Sequence, residues 1–72
     1  MTKESMMDRV VAERVVSILL RASQEIASTI DIVRTSESAE QAKQYSHAVG
    51  EVMYALDSVL RPIWIEYPDL HP

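Results

Sequence analysis

Between Ser5 and Arg34 the chain has no Gly and no Pro, and Ala12, Val15, Leu19, Ala22, Ile26, Ile30 and Val33 recur at spacings of three and four. That period places them on one face of a helix. A second apolar row, Val11, Val16, Ile18, Leu20 and Ala27, lies beside the first. Arg14, Ser17, Arg21, Gln24, Ser28, Asp31 and Thr35 form the polar row. The apolar arc is wider than the ~100° stripe of a helix packed on one neighbour, so this helix calls for at least two. Ser5 with Asp8 three residues on has the spacing of a capping box, which predicts a helix over about 5–34.

The pattern breaks at Thr35-Ser36-Glu37-Ser38, where short hydroxyl side chains compete for the backbone. Ser38 with Gln41 reads as a second capping box, and Glu37 and Glu40 place negative charge at the positive end of the next helix. There Ala42, Tyr45, Val49, Val52, Leu56, Val59 and Ile63 repeat at three and four, flanked by Ala48, Met53, Ala55 and Leu60. The spacing predicts a helix over about 38–61, with a Pro62-kinked extension to about 67 that Pro68 ends. Residues 1–4 and 68–72 are expected to be extended or flexible ends. Gly50 is out of place on the polar side, since a mid-helix Gly costs about 1 kcal/mol relative to Ala. It marks either a neutral substitution or a close approach near Tyr54, by a partner helix or by the C-terminal tail.

A link this short makes the two helices antiparallel neighbours. Helices of about 30 and 25 residues span roughly 45 and 38 Å. Two such rods touching along one seam leave the second apolar row of each uncovered, more than a soluble monomer tolerates. The expected fold is all-α: an antiparallel hairpin that pairs with a second copy in a homodimeric four-helix bundle.

Composition supports the need for a partner. A 72-residue chain buries only about 60% of its unfolded surface, and with no Cys it has neither a disulfide nor a Cys-based zinc site to hold it. The net charge of -4, from 7 Lys+Arg against 11 Asp+Glu, argues against a general binder of the phosphate backbone. The longest apolar run, Ile18-Leu19-Leu20, is far short of the ~20 residues that cross a bilayer. The first residues lack a secretory pattern, so a cytoplasmic location is expected.

Candidate chemistry is sparse. His47 and Glu51 are four apart on one helical face and could share a metal, but the Glu-x-x-His spacing of di-iron bundles is missing because Gln44 stands three before His47. A solvated pair is the simpler reading, and no cofactor is expected. The serines lie in caps or on the polar row, with no nucleophile elbow or phosphate loop around them. The chain is therefore expected to be non-enzymatic. The richest segment is the end of the second helix, where Ile63, Trp64, Tyr67 and Leu70 gather large apolar and aromatic area, the residue types that dominate interfaces. They either fold back near Gly50 and Tyr54 as additional core or form a contact surface for another protein.

Gly50-x-x-Met53, then Leu60-x-Pro62, then Glu66-x-Pro68-Asp69-Leu70-x-Pro72 resembles the C-terminal half of small uncharacterised bacterial proteins that pair two long helices. The resemblance covers roughly the last third of the chain. It implies a bacterial or phage origin and an all-helical fold, and carries no activity or site residue with it. Together these readings lead to a small homodimeric helical protein that acts by protein–protein interaction. The alternatives are a nucleic-acid-linked regulator or acidic mimic of nucleic acid, and a small metal- or ligand-binding bundle around His47 and Glu51.

Overall fold

The computed structural model describes residues 7–72. Two 28-residue helices, α1 (Arg9–Ser36) and α2 (Ala39–Glu66), are joined by Glu37 and Ser38 alone, and a 3-10 turn, Pro68–Leu70, follows. Hydrogen bonds tie Tyr45 to Thr29 near the connection and Tyr67 to Met7 at the open end, so the helices run antiparallel as a hairpin. There is no strand among the described residues.

The connection is as the hydroxyl pattern predicts. Glu37 is extended and gives its N–H to Val33 at 2.9 Å, and the Ser38 hydroxyl accepts the Gln41 N–H at 3.2 Å. The N-terminal start differs. Ser5 lies outside the described residues, and α1 begins at Arg9, behind an extended Asp8 whose side chain makes no capping bond. A helix begun at Ser5 would give the Met7 carbonyl to the Val11 N–H, but here that carbonyl accepts the Tyr67 hydroxyl at 2.8 Å.

α2 continues through Pro62 to Glu66. The proline has no N–H for the Ser58 carbonyl, yet both residues are exposed, where water can replace the missing donor. Beyond it the extended or flexible end expected over 68–72 is replaced by the 3-10 turn, with the Leu70 N–H on the Tyr67 carbonyl at 3.0 Å. Pro68 suits the first turn position because its φ is already fixed, and the turn folds Leu70 back onto the core.

Each helix turns one row inward. Ala12, Val16, Leu19, Ser23, Ile26, Ile30 and Val33 in α1, and Ala42, Ser46, Val49, Met53, Leu56, Leu60 and Ile63 in α2, are all buried or half-buried. Both rows step four and three along their whole length, the 3.5-residue repeat of a coiled-coil seam. Relative to the rows expected from the sequence, each helix is rotated slightly: Val15, Ala22, Tyr45, Val52 and Val59 lie beside the seam rather than in it. Two small polar residues, Ser23 and Ser46, occupy the seam instead. The Ser23 hydroxyl is satisfied by the Leu20 carbonyl at 2.8 Å, so its place there leaves no orphaned donor.

The core sits at the open end. Ala12, Val16, Leu60 and Ile63 form one buried cluster, with Met7, Val15, Leu19, Leu20, Trp64, Tyr67 and Leu70 packed against it. The molecule is a rod of 58 × 16 × 14 Å. Its radius of gyration of 15.9 Å compares with about 11 Å for a compact chain of this length.

Candidate protein-interaction surface

The aromatic end of α2 packs against the core cluster at the open end of the hairpin. Ile63 is 1% exposed and belongs to the core, which corrects its expected role as a contact residue. Trp64, Tyr67 and Leu70 are half-buried around it. The Trp64 and His71 rings lie 4.2 Å apart, centre to centre. The Arg9 guanidinium meets both Asp69 carboxylate oxygens and stands 5.7 Å over the Tyr67 ring. With the Tyr67–Met7 bond, these contacts clasp the tail to the start of α1. Neither the clasp nor Arg9's part in it is visible in the sequence, because it joins residues 60 apart.

Arg9 is also the main reason the Asp69 carboxyl is held below its usual range, through the hydrogen bond it donates; partial desolvation opposes this. A carboxylate depressed in the folded state adds stability that is present above its unfolded pKa, about 3.9, and is lost as pH falls through the lower folded value. Trp64, the chain's one Trp, reports on the tail. Its emission is expected to shift on acidification below about pH 4, and Asp69→Asn is expected to produce the same shift at neutral pH. An Asp69→Asn spectrum identical to the wild type at both pH values would show that the ion pair does not hold the tail.

The tail does not fold near Gly50 and Tyr54. No neighbouring atom lies within 4 Å of where a Gly50 Cβ would stand, and Tyr54 is 71% exposed. The tail is held instead at the start of α1, by the Tyr67–Met7 bond and the Arg9–Asp69 pair. Gly50→Ala is therefore expected to raise stability by about 0.5–1 kcal/mol, the helix-interior difference between the two residues. A thermal melt measures it, and destabilisation would reveal a partner seated on this position.

His47 and Glu51 do approach, Nε2 to Oε2 at 3.8 Å, with side chains 83% and 77% exposed. No third ligand joins them, for no group of three or more His, Cys, Asp or Glu that could hold a metal ion occurs among the described residues. No helix among these residues is long and apolar enough to cross a membrane.

Exposed large hydrophobics also gather on one flank of the seam. Two cross-helix features identify the flanks. Tyr45 donates to Thr29, Oη to Oγ1 at 2.7 Å, so the residues beside the seam on that side share one flank. Arg34 and Lys43 line a shallow depression with Ala39, Ala42 and Ser46, which marks the opposite one. The four-and-three row through Thr29 and heptad steps from Tyr45 place Val11, Ile18, Ile32, Val52 and Val59 on the first flank, with exposures between 47% at Val11 and 62% at Ile32. Heptad steps from Arg34 and Lys43 place Glu13, Leu20, Gly50, Asp57 and Trp64 on the second. One flank is thus apolar and bare. The other is charged along much of its length and, at the open end, carries the tail through the Trp64–His71 contact.

No known protein family, curated protein or solved structure matches the chain. The sequence pointed to Trp64, Tyr67, Ile63 and Leu70 as the contact region because they are large and clustered; the fold encloses Ile63 and leaves the other three half-buried against the core. The bare flank was present in the sequence as part of the broad apolar arcs, and only the packing separates it from the seam.

Proposed function

We propose that the protein is non-enzymatic and acts through protein–protein contact as a homodimer, two hairpins closing into a four-helix bundle. One observation carries this reading: Ala12, Val16, Val49, Leu60 and Ile63 are the buried apolar residues among those described, while nine large hydrophobics, among them Ile18, Ile32, Val52 and Val59, remain exposed. A chain of this size gains little stability from so small a core, and a patch of that kind is normally covered by a partner. Any further partner meets the outward surface of the bundle rather than Ile63, which is enclosed.

Neither alternative gains a specific supporting observation. The arginines of α1 are interleaved with acids, as in the Arg9–Glu13 and Arg34–Asp31 pairs, and the His47–Glu51 pair is open to solvent. A dimer is stabilised by mass action, so its melting temperature rises with protein concentration. Melts over a hundredfold concentration range are expected to show that rise. A midpoint independent of concentration would count against the homodimer.

A further inference from the structure

We infer that the second copy docks on the flank marked by the Tyr45–Thr29 bond, and that the flank carrying the tail faces outward in the dimer. This inference rests on the homodimer reading and adds the face through which the dimer forms. Val11, Ile18 and Ile32 of α1 and Tyr45, Val52 and Val59 of α2 lie on rows that step four and three, in phase with the intramolecular seam. Rows in phase with a seam stay beside it along the length of the helices. The two rows therefore form one continuous strip rather than patches that spiral out of reach.

The strip has the dimensions of an interface. From Val11 to Ile32 the strip is about 32 Å long, and two helices side by side are roughly 20 Å wide. That gives a footprint of roughly 600 Å², the low end of what each partner contributes to a standard-sized interface. Its charge also fits a second copy. Along the α1 row from Val11 to Ile32 and the α2 row from Tyr45 to Pro62, Glu25 is the one charged residue. A strongly charged partner therefore has almost nothing to pair with, whereas an equally apolar strip is complementary. Beside Arg34, the opposite flank presents Glu13, Lys43 and Asp57, residue types depleted from interfaces.

The chain has no Cys, so single-cysteine variants report cleanly on burial. Ile18→Cys and Val52→Cys lie on the proposed interface, and Tyr54→Cys, on the far side of α2 and 71% exposed, is the control. At high protein concentration, with mass by light scattering and helicity by circular dichroism checked for each variant, alkylation at positions 18 and 52 is expected to be slower than at position 54 by about tenfold or more. Dilution into the monomer range is expected to erase that difference. Equal rates in dimeric samples, or slow alkylation at 54 alone, would overturn the assignment of the face while leaving the dimer intact. A monomeric wild type would overturn the homodimer reading itself. Ile18→Glu and Val52→Glu give an independent arm, since each is expected to lower the mass or unfold the chain where Tyr54→Glu does neither. The reverse pattern would contradict the assignment.

Discussion

Replacing Ile63 by alanine is expected to cost about 2–5 kcal/mol, the range for deleting a large aliphatic side chain from a packed site. Ile63 is the largest fully enclosed side chain among the described residues, at 1% exposure, and it sits with Ala12, Val16 and Leu60 at the open end of the hairpin. At roughly 0.05–0.15 kcal/mol per residue, a chain of this length holds a total stability of only a few to about 10 kcal/mol. A loss of this size is therefore expected to remove much of the cooperative melt followed by circular dichroism. Ile65, two residues on and 75% exposed, is the matched control: Ile65→Ala is expected to change stability by about 0.5 kcal/mol or less. Equal effects at the two positions would mean that the cluster around Ile63 is not the core.

The second large effect is expected from stopping the chain after Leu60. This removes Ile63 from the buried cluster, together with Trp64, Tyr67 and Leu70, which pack against it. It also removes the Tyr67–Met7 bond and the Arg9–Asp69 pair that close the start of α1. What is left has its seam serines, its small central residues and a frayed open end. The truncated chain is expected to lose its cooperative transition or to aggregate. A truncated chain with the wild-type melt would make the tail dispensable to the fold and return Trp64 and Tyr67 to consideration as a contact surface.

Much of this fold was legible in the sequence, and the exceptions have physical causes. Three-and-four spacing, the absence of Gly and Pro before Arg34 and the Ser38 cap were enough for two helices in a hairpin, because these are local signals. The choice of inward row was not local. In α1, Val15 and Val16 are both apolar and adjacent, and only the facing helix decides that Val16 is buried and Val15 half-buried. In α2 the same choice favours Met53 and Leu60 over Val52 and Val59. The tail was misplaced because its partners are at the other end of the sequence. An aromatic segment with two prolines reads equally well as a docking motif or as a lid on the chain's own core, until Met7 and Arg9 are found beside it.

The placement of the candidate site follows from that distinction. Of the residues that looked like a binding surface, Ile63 is core and Trp64, Tyr67 and Leu70 are half-buried against it, while the apolar rows left over by the seam remain exposed and are the surface we propose a second copy covers. If each hairpin covers the other, the bundle has two seams of similar character, one closed within the chain and one between chains. Stability and assembly are then one equilibrium, since the small intramolecular core leaves a lone hairpin little to stand on.

The most direct test is the solution mass of the intact chain, measured by light scattering across a range of concentrations. Two hairpins closed into a bundle give twice the chain mass of 8.2 kDa, falling toward the single-chain value only on dilution. A mass of 8.2 kDa at high concentration, with full helicity retained, would contradict the account.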